Sequence, residues 1–236
     1  VSAGGDFQSL TLAPMLSYGP AGRTELDLTI PYLHNWASNV TDPAPTGQRS
    51  ANFGGLGNIS LEGKYLLVKE QPFIPAISAV CLVDFPTGHH RRLNPGDLGT
   101  DLLGRGAFTF TPGLNFYKYL APFLLYGNLW YTMATAATVN KKRTYYPDRI
   151  TVNFAAEYPL PAKNFVFLFE FVSTYDGGRL IGHRANEPAR ILMSVLPALE
   201  FIPNPKWSLA AGVLVDLFGK NSAFAYTPNV NIFYNF

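Results

Sequence analysis

The chain has 236 residues, of which 47% are hydrophobic, 14% aromatic and only 14% charged. Soluble domains usually carry about 25% charged residues, and the aromatic content excludes a disordered chain. The net charge of +2 gives no reason to expect a nucleic acid partner, and the single cysteine, Cys81, excludes a disulfide scaffold and a cysteine-based zinc site.

Eleven segments alternate apolar and polar residues, which is the period of a strand with one apolar and one polar face. In residues 164–175, for example, four phenylalanines fall on one side and Glu170 falls on the other. No window has a comparably regular helical period. In chain order, the predicted strands span residues 7–18, 22–33, 55–68, 73–85, 106–118, 122–134, 149–159, 164–175, 189–202, 206–217 and 224–236.

One segment could be interpreted differently. Residues 119–140 contain no charge, and their 22 residues are enough for a membrane-spanning helix. However, Pro122 and Gly127 interrupt this segment, and no second segment of the chain resembles it. The strand interpretation is therefore preferred.

Short and long links between the predicted strands alternate along the whole chain. The short links lie near residues 19–22, 69–72, 119–122, 161–164 and 203–206, and the long polar links near 34–54, 86–105, 135–148, 176–189 and 218–223. A soluble sandwich has no physical reason to place every long link at one end, whereas an outer-membrane barrel has short periplasmic turns and long external loops. The sequence thus predicts an all-β fold, a transmembrane antiparallel up-and-down β-barrel that forms a single domain over residues 1–236 in the bacterial outer membrane.

The number of strands carries a further expectation. Bacterial single-chain barrels normally have an even number of strands, and eleven are visible here. We therefore expect one more strand before Val1 and twelve in the complete barrel. The last strand ends on Phe236, which resembles the assembly signal of outer-membrane barrels and implies the barrel assembly machinery as a partner during biogenesis.

Several short runs resemble those of one family of outer-membrane channels. The clearest is Gly-Gly-Leu-Gly-Asn-Ile-Ser-Leu-Glu-Gly-Lys-Tyr at residues 54–65, and similar pieces lie at 24–32, 84–88, 98–100, 112–114 and 126–129. Together they cover about residues 14–133, and they resemble the family named for the MetA pathway of phenol degradation. The resemblance implies a channel that admits small, often aromatic or hydrophobic, molecules by diffusion. It supplies no catalytic residues.

If the apolar face points to lipid, the polar face lines the lumen, and the parity of each strand assigns the inward residues. Many of the charged ones should form cross-strand salt bridges, and others should set the charge preference of the passage. The long link 86–105 could fold inward as a constriction, and two inward aromatic residues could stack against apolar solutes. The predicted lumen residues are Glu25, Asp27, Glu62, Lys64, Asp84, Arg149, Glu157, Glu170, Arg190, Glu200 and Asp216, with the aromatic pair Tyr126 and Trp130.

The long links carry ten Lys and Arg residues against six Asp and Glu residues. Such a basic rim could contact lipopolysaccharide phosphates or steer anionic solutes, and a merely soluble set of loops is the alternative. The predicted basic rim consists of Arg91, Arg92, Lys141, Lys142, Arg143, Arg179 and Arg184.

Three functions remain open at this point. The first is a passive channel for small molecules, hydrophobic or aromatic by resemblance. The second is a plugged barrel that acts through loops 34–54 and 86–105 as an adhesin or structural protein. The third is a hydrolase at the rim, using His89 or His183 with Asp97, Asp101 or Asp176. Because no spacing singles out such a pair, we predict no catalytic residue, no cofactor and no metal site, and we expect as partners membrane lipid, lipopolysaccharide and a diffusing solute.

Overall fold

The fold is all-β, as predicted. The computed structural model describes residues 5–41, 48–181, 184–222 and 224–236, and within these ranges it contains eighteen strands and one short 3-10 helix at Pro95–Asp97. The strands are β1 Asp6–Leu12, β2 Met15–Ala21, β3 Thr24–Thr29, β4 Tyr32–Thr41, β5 Gln48–Leu56, β6 Ile59–Val68, β7 Ala76–Phe85, β8 Thr109–Leu120, β9 Phe123–Ala134, β10 Ala137–Val139, β11 Lys142–Tyr145, β12 Arg149–Pro159, β13 Phe165–Asp176, β14 Arg179–Ile181, β15 Arg184–Glu187, β16 Arg190–Asn204, β17 Trp207–Lys220 and β18 Tyr226–Tyr234.

The barrel wall is an eleven-stranded antiparallel sheet. Its order is β18-β17-β16-β13-β12-β9-β8-β7-β6-β3-β2, so each wall strand pairs with the wall strands before and after it in the chain. This is the predicted up-and-down topology, and the eleven wall strands correspond one by one to the eleven predicted segments. Strands β2 and β18 form the two edges of this sheet, and the twelfth strand stays a prediction.

The two faces of the wall are inverted relative to those of a soluble protein. In β12, Ile150, Val152 and Phe154 are exposed, whereas Thr151 and Asn153 between them are half-buried. In the described residues the fully buried apolar side chains are few and mostly small: Ala37, Val80, Leu103, Ala107, Ala137 and Ala210. An apolar outer surface and a polar interior are the arrangement of a barrel in lipid.

The link predicted at 34–54 is largely strand, which corrects the expectation of a loop. Strands β1, β4 and β5 form a three-stranded sheet that continues β2, β3 and β6 beyond a common break. Pro14 and Pro31 cause this break because proline has no N–H for the ladder. Backbone hydrogen bonds at the two prolines span this break: Ile30 N donates to Pro14 O (3.1 Å), and Gly57 N donates to Pro31 O (2.8 Å). Residues 42–47 of the predicted loop lie outside the described residues.

The links predicted at 135–148 and 176–189 also extend the wall. They form two hairpins, β10–β11 and β14–β15, which pair as a four-stranded sheet. The helical alternative for residues 119–140 is wrong, because this segment lies in β8, β9 and β10. Among the described residues, no helix is long and apolar enough to span a membrane.

The remaining links give the barrel two distinct ends. The connections at residues 22–23, 69–75, 121–122, 160–164 and 205–206 are short, and we call their side the turn end. The opposite side, here called the loop end, carries the two strand extensions and the 23-residue connection 86–108 between β7 and β8. This connection, the inward loop below, has no strand and positions the site.

Candidate functional site

A cavity of about 1050 Å³ lies inside the barrel towards the loop end. The inward loop lines one side of it through residues 102–105, and the polar faces of the wall strands line the rest. Its side chains are mixed, with leucines and one tryptophan among hydroxyl, carboxylate and guanidinium groups. The wall residues that border it include Ser60, Asp84, Thr109, Thr111, Trp130, Thr132, Arg149, Asp176 and Arg190.

The predicted lumen residue Asp84 is held by hydroxyl groups on both neighbouring strands. Ser60 on β6 donates to its Oδ1 at 2.6 Å, and Thr109 on β8 donates to its Oδ2. On the next strand pair, the hydroxyls of Thr111 and Thr132 lie 2.9 Å apart. Cross-strand hydrogen bonds of this kind tie the wall together, and no basic side chain among the described residues pairs with Asp84.

Arg149 and Arg190, both predicted lumen residues, share one carboxylate. Asp176 ends β13 and stands opposite Arg149 of β12 and Arg190 of β16 in the register. Arg149 Nε donates to Asp176 Oδ1 at 2.5 Å, and Arg190 Nη2 donates to Oδ2 at 2.6 Å. Asp176 was predicted to begin the long link 176–189, but it is the last residue of β13, and its parity with Glu170 and Thr174 puts it on the inward face.

Four predicted lumen residues form one ion cluster towards the turn end of the wall. Lys64 Nζ lies 2.8 Å from Glu25, 2.7 Å from Asp27 and 3.2 Å from Glu62. Asp27 is buried (4% exposed), whereas half of the Glu25 side chain is exposed. One lysine therefore holds three carboxylates on β3 and β6, with an excess of two negative charges.

The inward aromatic residues belong to an amide and tyrosine row on β8 and β9. Trp130 Nε1 donates to Asn115 Oδ1 at 2.8 Å, and Asn128 Nδ2 donates to the same oxygen at 2.9 Å. Further towards the turn end, the rings of Tyr117 and Tyr126 lie 5.5 Å apart. Of the two aromatic residues predicted to face inward, only Trp130 borders the cavity.

Glu157, Glu170 and Glu200 lie on three adjacent strands. In the register Glu170 stands opposite Ala155, two residues from Glu157, and Glu200 stands opposite Val166 at the turn end of β13. No basic side chain pairs with the three carboxylates in the described part of the chain. None of them borders the cavity. On β16 and β17, Ser194 donates to Asp216 at 2.6 Å.

The inward loop contains the most deeply buried residues of the described structure. Thr100 is 0% and Asp101 is 1% exposed. The loop is fixed to one side of the barrel by Asn35 Nδ2, which donates to Thr100 O at 2.9 Å, and to the other by Asn140 N, which donates to His90 O at 3.2 Å. A segment fixed on both sides holds a defined position inside the barrel.

Close backbone packing also holds the inward loop in place. A Cβ at Gly88 would lie 2.6 Å from Leu103 O, and one at Gly104 would lie 2.4 Å from Asn58 Oδ1. Asn58 Oδ1 also accepts a hydrogen bond from Gly88 N at 3.2 Å. These short distances leave no room for a Cβ, so glycine lies on both sides of the buried part of the loop, at residues 88 and 104.

Arg105 is the inward-loop residue whose charge faces the cavity. Its guanidinium carbon lies 5.7 Å from the centre of the Tyr146 ring, and Tyr146 Oη donates to the Arg105 carbonyl at 2.7 Å. Burial lowers the pKa of Arg105, and the nearby charges of Arg149 and Arg190 lower it further. The residue stays charged, because arginine is not deprotonated in proteins. Arg105 was not among the lumen residues predicted from the sequence, since no period assigns a face within a loop.

The family comparison agrees with this architecture. A family model described as "Putative MetA-pathway of phenol degradation" matches residues 1–191, which cover β1 to β15 and the start of β16. The chain belongs to this family. No curated protein matches the chain.

A solved structure shows the same fold. The crystal structure of an outer membrane channel from Pseudomonas putida F1 matches with a TM-score of 0.68 and 14% sequence identity, covering 97% of this chain and 80% of that chain. Together with the exposed apolar belt, this similarity identifies the family member described here as an outer-membrane β-barrel.

The predicted rim residues lie at the loop end of this barrel. Arg91, Arg92, Lys141, Lys142 and Arg143 are exposed. Arg179 and Arg184 lie in β14 and β15, and their side chains, like His183, lie outside the described part of the structure.

Among the described residues, His34, His89 and His90 do not form the pairs that the hydrolase hypothesis requires. Nδ1 of His89 lies 2.9 Å from Asp101 O, and Nδ1 of His90 lies 2.7 Å from Gly88 O, so both contact backbone carbonyls. His34 is in strand β4 and its ring contacts Trp36. Within the described ranges, no three His, Cys, Asp or Glu side chains are grouped as a metal ion requires.

Proposed function

We propose that the protein is an outer-membrane channel through which small molecules, hydrophobic or aromatic, diffuse passively. The observation that carries this proposal is the cavity of about 1050 Å³ lined by the polar face of the wall and the inward loop. A volume of this size exceeds that of a single-ring aromatic compound, because ligand pockets of about 300–1,000 Å³ hold drug-sized molecules.

The cavity lining supports an amphipathic solute. Leu33, Leu82 and Leu103 border the cavity together with Trp130, while hydroxyl and charged groups border the same space. An aromatic solute could contact the apolar side chains and exchange hydrogen bonds with the polar ones. The family description, which names phenol degradation, is consistent with this solute class.

The proposal is tested by liposome swelling. Folded full-length protein is reconstituted, and swelling rates are measured in isotonic sugars of increasing size and in benzyl alcohol. Swelling that falls with solute size supports an open passage, and faster entry of the aromatic solute than of a sugar of equal size supports the solute class. No swelling from protein shown to be folded would contradict the channel and favour the plugged barrel, for which the buried inward loop supplies the plug.

We also propose that the exposed basic rim contacts lipopolysaccharide. The exposed side chains of Lys141, Lys142 and Arg143 project from the β10–β11 hairpin beyond the wall, where lipopolysaccharide phosphates lie. Replacing all three by glutamine should weaken the binding of purified lipopolysaccharide. Unchanged binding would leave these residues as a merely soluble surface.

A further inference from the structure

The charges that border the cavity do not balance. Three guanidinium groups, those of Arg105, Arg149 and Arg190, line it against the carboxylates of Asp84 and Asp176. Asp84 is occupied by two hydroxyl groups, and Asp176 binds Arg149 and Arg190 together. The lining therefore carries an excess of one positive charge in a partly desolvated space.

The excess is located on Arg105. Its guanidinium carbon lies 5.7 Å from the centre of the Tyr146 ring, a cation–π contact, and the group has no carboxylate partner among the described residues. A cation–π contact uses none of the guanidinium N–H groups as hydrogen-bond donors, which leaves them available to a ligand. These groups form a planar fork whose geometry matches a carboxylate, with two parallel N–H···O bonds.

The surroundings of Arg105 point to the body of the ligand. Leu102 and Leu103 precede it in the loop, and the Trp130 indole stands on the wall that borders the same cavity. Because Trp130 Nε1 is bonded to Asn115, the indole presents its apolar ring rather than its donor. A ligand that consists of a carboxylate and an apolar or aromatic body could therefore place its carboxylate at Arg105 and its body against these side chains.

We propose that Arg105, supported by Arg149 and Arg190, forms a binding site for small carboxylate anions with an apolar body. The proposal rests on the proposed channel function, which it extends by naming the charge of the preferred solute. Glu157, Glu170 and Glu200, which would repel an anion, do not border the cavity. The carboxylate thus meets positive charge first when it enters from the loop end.

The test compares three single-ring probes that differ mainly in charge: benzoate, benzyl alcohol and benzylammonium. Binding to the detergent-solubilised full chain is measured by calorimetry, and block of single-channel current is measured in planar bilayers at low salt. We expect benzoate to bind more tightly than the other two. Arg105→Gln should weaken benzoate binding by about tenfold or more, because a hydrogen bond to a charged group is lost.

Two further variants serve as controls. Lys163→Gln removes one positive charge from an exposed position at the turn end, outside the cavity lining and the basic rim, and should leave benzoate binding unchanged. Arg105→Lys keeps the charge without the fork and should recover only part of the affinity. Circular dichroism and the heat-dependent mobility of each variant establish that the barrel is folded.

The outcomes separate the two proposals. Benzoate binding without any current supports the site and contradicts the channel, whereas current without benzoate binding does the reverse. Equal binding of benzoate and benzyl alcohol, or equal losses in Arg105→Gln and Lys163→Gln, would overturn the site. Inorganic phosphate that binds as tightly as benzoate would overturn the choice of a carboxylate with an apolar body.

Discussion

The orientation of the wall faces leads to a quantitative prediction for Phe154→Arg. Phe154 is 49% exposed and lies in the middle of β12, five residues from Arg149 and five from Pro159. At about 3.3 Å per residue and a tilt of about 40°, it lies about 13 Å from either end of the strand. That depth is the middle of an apolar band about 25 Å tall.

The free-energy cost of an arginine on the outer face of β12 depends on how deep in the bilayer the residue lies. An arginine at the bilayer midplane of a barrel costs about 2–4 kcal/mol, and near the interface about 0–1 kcal/mol. Phe154→Arg should therefore lower the free energy of unfolding by about 2–4 kcal/mol, Val152→Arg by less, and Ile150→Arg by about 0–1 kcal/mol. All three residues are exposed on the same face of β12, so only their depth differs systematically.

The assay is reversible guanidinium unfolding of the full-length protein in phospholipid vesicles, followed by tryptophan fluorescence. Each variant is compared with its alanine counterpart, so that the loss of the apolar side chain is subtracted. If the exposed face met water, all three arginines would be nearly neutral. Equal free energies of unfolding across the series would therefore refute the assignment of this face to lipid.

Three further predictions concern the interior. Asp176→Asn should lower the free energy of unfolding by about 1–3 kcal/mol, because two partly exposed guanidiniums lose their carboxylate. Asp97→Asn should change the free energy of unfolding by less than about 0.5 kcal/mol, because the Asp97 carboxylate has no bond in the described structure. Lys64→Met should lower the free energy of unfolding by about 1–3 kcal/mol in the same assay, because three carboxylates lose their cation. Lys64→Arg keeps the cation and should recover most of this stability. Equal losses of stability in Lys64→Met and Lys64→Arg would contradict the ion cluster. Gly88→Ala should displace the inward loop, because its Cβ would lie 2.6 Å from Leu103 O, and should raise single-channel conductance; unchanged conductance would show that the loop does not limit the passage.

The wall could be predicted from the sequence because its strands obey one simple rule. An antiparallel wall that separates lipid from a polar lumen imposes a period of two on every strand, and parity then assigns a face to residues such as Asp27 and Arg149. The same rule explains one error at the loop end. Strand β4 continues the line of β3 past Pro31, and there the apolar alternation weakens although the ladder persists.

The inward loop could not be predicted in the same way. Its position depends on hydrogen bonds from distant side chains, such as Asn35 to Thr100 and Tyr146 to Arg105, over separations of 65 and 41 residues. No local period encodes such contacts. The glycines at 88 and 104 were visible in the sequence, but only the packing around them shows that both must lack a Cβ.

The interior separates charge along the axis of the barrel. On the wall near the loop end, Asp176 neutralises part of the charge of Arg149 and Arg190, and the inward loop adds Arg105. Further towards the turn end, Glu157, Glu170 and Glu200 have no basic partner in the described structure, and Lys64 offsets only one of its three carboxylates. An anion that binds beside Arg105 must pass this negative region to leave at the turn end, whereas an uncharged aromatic solute meets no such barrier. Tight binding and fast passage are therefore opposing properties for a carboxylate in this barrel, so affinity must be measured separately from flux.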